Sequence, residues 1–390
     1  MKLTQSFFDE FLSLSRDIYG KKPIPLHRPI FKGNEKKYLI RCIDSNFVSS
    51  AGKEVDEFEK KIAKFTNSKF AISTVNGTAA LHTALMLLNV KKDDEVITQS
   101  ATFVATCNAI SYLGANPVFV DIDKETLGMS PEALENFLNK NTKFKGNKLL
   151  NKFTGKEIKC CLPMHTYELP CRIQEIKDIC KKWKLNLVED SAESLGSFVK
   201  NKHTGTFGQI GTLSFNGNKI ITTGGGGMII TDNRNLAKKA RHITTTSKIP
   251  HPFKFIHDEI GYNYRMPNIN AVLGCAQMEK ISEFLKAKKR LAKTWKAFFD
   301  KYQIKFFTSE PENSANFWLN TIQFESKSDR DRFIKITNQN GVMTRPIWEL
   351  MSNLKMYKNC FSDHLENTKF ISDRIVNIPS SVPNINEDSS

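Results

Sequence analysis

One lysine stands out by its surroundings. Lys219 lies between the polar turn Asn216-Gly217-Asn218 and four consecutive glycines, Gly224, Gly225, Gly226 and Gly227, with short apolar runs on either side across residues 212–231. An amine partly withdrawn from water loses preference for its charged form and becomes nucleophilic towards an aldehyde, so Lys219 is a candidate for Schiff-base chemistry. Glycines allow positive φ and let backbone approach a bound group closely, at an entropic cost that an ordinary loop does not require. Ser214, five residues before the lysine, could offer its hydroxyl to a phosphate. A lysine beside glycine is more often a surface turn residue, so the rest of the chain has to support the chemical reading.

Three further positions could join it. Residues 70–74 form an apolar run, Val75-Asn76-Gly77-Thr78 a turn, and residues 79–88 a helix pattern. Strand, glycine turn and helix together aim free backbone N–H groups at an anion, with Gly77 and Thr78 nearest; the plain alternative is a helix capped by Thr78. Asp190 directly follows Leu187-Val188-Glu189. A carboxylate there could hold a ring nitrogen protonated, although an Asp at a strand end is commonly a turn or cap residue. Phe103 opens a helix pattern after another strand and could lie flat on an aromatic ring, or pack in the core as most phenylalanines do.

These residues need a frame. Strand patterns at 70–74, 95–99, 117–122, 158–164 and 185–189 alternate with helix patterns from 54 and at 79–88, 103–113, 131–138 and 173–183. Such alternation predicts an α/β fold, a mainly parallel central sheet with helices on both faces, whose ligands sit at the carboxyl ends of the strands. Phe7, Phe8, Phe11, Leu12, Leu14 and Ile18 predict an amphipathic helix over 5–19, docked on the body or on a second subunit. Pro23, Pro25 and Pro29 break the pattern around His27 and Arg28. A long helix over 270–299, a strand over 317–324, a helix over 329–337 and a strand over 342–344 predict a smaller α+β domain. We place the boundary between 1–268, with its helical extension, and 269–390.

Composition narrows the classes. At 390 residues, 40% hydrophobic and 25% charged, the chain is an ordinary globular protein. The amino terminus has no apolar core of a leader, and no run reaches membrane-spanning length, so a cytoplasmic location is expected. Eight scattered cysteines without a CxxC pair or histidines at zinc-ligand spacing predict free thiols and no metal site. The net charge of +16 is spread along the chain, densest over 143–159, without a nucleic-acid-binding motif. A solvated surface that attracts small anions is the better reading.

Taken together, the phosphate cradle, the stacking ring, the acid and the lysine are the parts of a pyridoxal phosphate site in workable order. The chain resembles the DegT-type nucleotide-sugar aminotransferases, of the aspartate-aminotransferase-like fold, over nearly its whole length. The resemblance rests on Asn76-Gly77-Thr78-Ala79-Ala80, Thr102-Phe103-Val104-Ala105-Thr106, Pro117-Val118-Phe119-Val120-Asp121, Glu189-Asp190-Ser191-Ala192-Glu193, Ser214 with Lys219 through Gly227, and Gly261-Tyr262-Asn263-Tyr264-Arg265-Met266-Pro267. It implies that Lys219 binds pyridoxal 5'-phosphate as a Schiff base and that Asp190 pairs with the ring nitrogen. Gly77, Thr78 and Ser214 would contact the phosphate and Phe103 the ring. Asn263 would reach the other subunit's phosphate, which implies a homodimer with shared sites.

Phe47-Val48-Ser49-Ser50, His203-Thr204-Gly205-Thr206-Phe207-Gly208, Phe215-Asn216-Gly217-Asn218-Lys219 and Gly341-Val342-Met343-Thr344-Arg345-Pro346-Ile347-Trp348 are similar to enzymes of legionaminic acid and bacillosamine synthesis. That likeness implies 4-amination of a UDP-linked 2-acetamido-2,6-dideoxy-4-ketohexose by L-glutamate, for a bacterial surface glycan, with His27, Arg28, His165 and Arg345 as substrate contacts. The alternatives are a GDP-linked 4-keto-6-deoxymannose or a 3-ketohexose as substrate, the sugar dehydratase branch, which has a histidine in place of Lys219, or a non-catalytic cofactor-binding regulator. Three positions depart from the family pattern. Gly225 replaces a Glu, Glu168 replaces a glycine, and Glu193, included as a cofactor contact, replaces a Gln or His; a carboxylate there would repel a phenolate oxygen unless protonated or turned away.

Overall fold

The structure, a computed structural model, describes residues 3–20, 23–50, 52–310 and 312–383, and of Glu168 the backbone alone. Within them a central sheet contains β1 (Phe70–Thr74), β2 (Glu95–Gln99), β3 (Asn116–Val120), β4 (Ile158–Cys161), β5 (Asn186–Asp190), β6 (Ile210–Ser214) and β7 (Gly227–Thr231). Their spatial order is β1-β7-β6-β5-β4-β2-β3. Only β7 runs antiparallel to its neighbours within this sheet. All seven strands therefore bring the same edge of the sheet to one side, where six carboxyl ends and the start of β7 meet.

The period-two alternation of a strand divides the apolar residues between two faces. Ile72, Val96, Cys160, Val188 and Ile229 pack under α4 (Gly77–Leu87), α5 (Val104–Tyr112) and α8 (Arg234–Thr244). Their neighbours Ile97, Cys161 and Leu187 point the other way, under α6 (Pro131–Asn141) and α7 (Ile173–Lys182). Local signals set the helix starts: Asn76 caps α4 through the Ala79 amide, and Ser130 caps α6 ahead of Pro131. The helices named from α4 to α8 follow α1 (Gln5–Tyr19), α2 (Glu35–Asp44) and α3 (Lys53–Thr66) in the chain.

From α9 (Asn268–Lys301) the chain builds a second, antiparallel sheet. Its strands β8 (Lys305–Phe306), β9 (Thr321–Gln323), β10 (Arg345–Pro346) and β11 (Ile375–Asn377) lie in the order β8-β9-β11-β10, with α10 (Lys327–Gln339) against them. The expected strand over 317–324 shortens to β9 because Phe317 takes φ +54 and Asn316 and Asn320 turn their amides inward to backbone and Ser380. The expected strand over 342–344 lies at β10 instead.

α1 docks on this carboxyl-terminal part of the same chain. Phe7, Phe8, Phe11 and Leu12 bury against Trp295, Phe299, Phe324 and Phe333, each worth about 1.5–3 kcal/mol on transfer from water. The Tyr19 hydroxyl lies 3.1 Å from the carbonyl oxygens of both Pro379 and Ser381. Among the described residues no helix is long and apolar enough to cross a membrane.

Candidate active site

A cavity of about 370 Å³ opens at the carboxyl edge of the central sheet. Gly77, Thr78, Phe103, Asp190, Glu193, Ser214 and Lys219 all line it. The topology explains the convergence. Asp190 and Ser214 end the adjacent strands β5 and β6, with Thr212 opposite Asp190, and Ser214 faces Gly227 at the start of β7. The amino end of α4 enters between them. An α-helix leaves its first amides without intrahelical partners, and the Asn76 side chain takes only that of Ala79, at 2.8 Å. Gly77 sits so close to β6 that a Cβ there would lie 2.9 Å from that of Ser214. The glycine run divides its tasks: Gly224 takes φ +80, whereas Gly227 has no room for a Cβ, which would fall 2.4 Å from the Asn76 carbonyl oxygen.

Lys219 is mostly withdrawn from solvent, with 12% of its side chain exposed. Its Nζ donates to Glu193 Oε1 at 3.1 Å and lies 4.0 Å from the centre of the Trp318 ring. Glu193 is wholly buried. Burial pushes its carboxyl up to about 7, against the lowering effect of Lys219 and of the Tyr167 amide, which donates to Oε2 at 3.0 Å. Its neutral form is therefore populated near neutral pH, which would lessen the expected repulsion of a phenolate. Burial also raises the Asp190 carboxyl above its ordinary value, although the Thr106 hydroxyl donates to Oδ2 at 2.7 Å and the Ala192 amide to Oδ1 at 3.2 Å. A buried carboxylate on a cavity wall is stabilised by a cationic N–H group placed beside it. An anion cradle, a nucleophilic amine, an acid for a cationic ring nitrogen and an aromatic face fit pyridoxal phosphate. Phe103 caps the start of α5, 46% exposed, edge-on to Trp348 at 6.0 Å.

The substrate contacts expected from sequence lie elsewhere. His165 is fully buried and does not line the cavity. The Cys171 amide donates to its Nδ1 at 3.2 Å, so Nε2 carries the ring proton and faces Glu189 at 3.1 Å. Burial pushes the Glu189 carboxyl up, but His165 and the Gly208 and Gly205 amides outweigh that and hold it below the usual carboxylate range. This pair fixes the 203–208 loop instead of touching a ligand. His27 packs 6.4 Å from the Trp318 ring, outside the cavity lining, and burial keeps it neutral by driving its pKa well below the ordinary value. Arg28 is exposed, its amide donating to Ser381 Oγ at 3.0 Å. Arg345 donates to Asn338 Oδ1 at 2.9 Å on the rim of the second sheet. Asn263 is exposed beside Thr245 and does not line this chain's own cavity.

Sequence reasoning missed Trp318 and Trp348, which close the cavity from the carboxyl-terminal part, and Met164 beneath it. Trp318 was hidden within a run that reads as a strand, and two tryptophans of only four in the chain were the available signal. The loop shape at Glu168 can be followed only in backbone: residues 166–168 form a single 3-10 turn with Tyr167 at φ +57. The Glu168 side chain lies outside the described residues.

Known proteins are similar to this chain. The profile of the DegT/DnrJ/EryC1/StrS aminotransferase family matches residues 29–389. A GDP-perosamine synthase from Escherichia coli O157:H7 is 36% identical over 343 residues, covering 88% of this chain and 89% of that one. One from Vibrio cholerae is 35% identical, over 92% and 94% of the two chains. A solved DegT DnrJ EryC1 StrS aminotransferase from Brucella abortus matches with a TM-score of 0.82 and 25% identity, over 91% of each chain. With the cavity, the sheet order and these matches in agreement, the chain belongs to the DegT/DnrJ/EryC1/StrS family of pyridoxal phosphate-dependent sugar aminotransferases, of the aspartate-aminotransferase-like fold.

Proposed function

We propose that this cavity places an amino group on C4 of a UDP-linked 2-acetamido-2,6-dideoxy-4-ketohexose, with L-glutamate as donor, for a bacterial surface glycan. The observation that carries the reaction type is the meeting of Lys219, Asp190 and the Gly77 turn in one cavity. When bound, pyridoxal phosphate supplies an electrophilic carbon and an electron-accepting ring. Gly77, Thr78 and Ser214 would hold the phosphate, Phe103 would pack on the ring, and Asp190 would keep the ring nitrogen protonated. Lys219 Nζ would be the group that holds the cofactor, and as a free amine it would move a proton at the donor's Cα and at the sugar carbon. Glu193 accepts from that amine and keeps it in the cavity.

The motif likeness over 47–50 and 341–348 supports the UDP sugar. A GDP-linked 4-keto-6-deoxymannose is the second reading, favoured by relatives whose names place perosamine on GDP. Two copies would share their sites, Asn263 of each reaching the other's phosphate; the exposed Phe253, Phe255 and Ile260 beside it support such a contact. A cytoplasmic location agrees with eight free cysteines.

The test is an absorbance spectrum of the purified protein with L-glutamate added first and each ketosugar afterwards. A cofactor band that glutamate bleaches and the UDP sugar restores, without restoration by the GDP sugar, is expected. Restoration by the GDP sugar alone moves the assignment to the second reading, and an unresponsive band refutes the aminotransferase mechanism. Lys219→Ala should lose turnover yet still bind pyridoxamine phosphate.

A further inference from the structure

We propose that Trp318 is a positioning residue, whose indole face holds the Lys219 amine where the cofactor's aldehyde arrives. This rests on Lys219 as the residue that condenses with pyridoxal phosphate. In that step the uncharged amine attacks the aldehyde carbon, a C=N bond forms, and the aldehyde oxygen leaves as water with the two amine protons. A lysine has four rotatable carbons, and its amine must be confined for this to be fast. In the structure it is confined from two sides, by Glu193 Oε1 at 3.1 Å and by the Trp318 ring at 4.0 Å. An ammonium over an indole face is favoured electrostatically, more strongly once desolvated; before the attack it gives its extra proton to Glu193 Oε1, 3.1 Å away.

Trp318 is itself held at three points. Its indole N–H donates to the carbonyl of Asn218, the residue before Lys219, at 2.6 Å. Its amide donates to Asn316 Oδ1 at 2.8 Å, and its carbonyl accepts from Lys288 Nζ at 3.2 Å. Asn316 also donates to the carbonyls of Glu193 and Leu195, both at 2.9 Å. One buried amide side chain thus ties together both walls that flank the amine. Lys288, wholly buried on α9, also donates to the carbonyls of Phe317 at 3.1 Å and Ser380 at 2.5 Å. A buried ammonium is costly unless its protons are satisfied, and here those protons fix the segment that carries Trp318.

The test uses the full chain freed of cofactor, as wild type, Trp318→Leu and Trp318→Phe. Pyridoxal phosphate is added, and covalent capture is followed by absorbance and by the mass gained at Lys219 after borohydride. Equilibrium affinity for pyridoxamine phosphate, which has no aldehyde, is measured in parallel. Trp318→Leu should slow capture by about tenfold or more with little change in that affinity, and Trp318→Phe, which keeps an aromatic face, should recover most of the rate. Capture by Trp318→Leu at the wild-type rate, or losses of capture and affinity in equal proportion, overturns the proposal. If the leucine variant does not fold, Trp318→Met, which likewise lacks an aromatic face, replaces it under the same criteria. A wild-type chain that gains no mass at Lys219 overturns the underlying assignment and this inference with it, which distinguishes that failure from a failure of Trp318 alone.

Discussion

A carboxyl wholly buried against Lys219 makes folding itself depend on pH. Glu193 has its pKa raised from 4.5 to about 7, first by burial. Between those values the cofactor-free folded chain keeps a proton that the unfolded chain has released. Its contribution is therefore fully present below pH ~4.5 and is lost as pH rises through ~7, by an amount on the order of 3 kcal/mol. Denaturant unfolding from pH 4.5 to 8 should show this fall in wild type and a flatter profile in Glu193→Gln. Parallel profiles would show that the group does not titrate there. At this scale the sequence was legible where chemistry and strand position coincide, as at Asp190, Ser214 and Lys219. It was not legible for His165, because nothing in its local sequence shows that Glu189 and the Cys171 amide take both ring nitrogens.

Close contact between β7 and the start of α4 is the element-scale constraint on the cradle. A Cβ at Gly227 would sit 2.4 Å from the Asn76 oxygen and 2.7 Å from the Gly77 nitrogen, both backbone atoms that can move only with the helix. Gly227→Ala should cost about 1–3 kcal/mol of stability and weaken cofactor binding, measured by thermal unfolding and pyridoxal phosphate titration. Gly225→Ala, whose Cβ would meet only the Val75 oxygen at 3.8 Å, should change neither; equal effects in both variants would remove the steric explanation. β1 and β2 were readable to the residue because each is a short apolar run between turns. α8 went unread: the buried side of Arg234–Thr244 includes Ala237 and Ala240, small residues that give little contrast against its lysines and arginines. α2 was missed for a similar reason, with only Glu35 and Cys42 buried.

Phe253, Phe255 and Ile260 are 91%, 82% and 84% exposed in the single chain, more apolar surface in one segment than water tolerates without a partner. If two copies pair through this segment, as proposed above, replacing Phe253 and Phe255 together by Asp should lower the sedimentation coefficient to that of a monomer and lower activity at dilute concentration. An unchanged sedimentation coefficient would remove this segment from the proposed contact. The docking of α1 also has a consequence in time. Its aromatic face is completed by residues 291–378, so during synthesis α1 waits until those later residues have been made. At about 5–20 residues per second that wait is on the order of 20–70 s, during which three phenylalanines have no native partner. Until then a factor that shields aromatic surface could hold α1, and the arrival of residues 291–378 would release it.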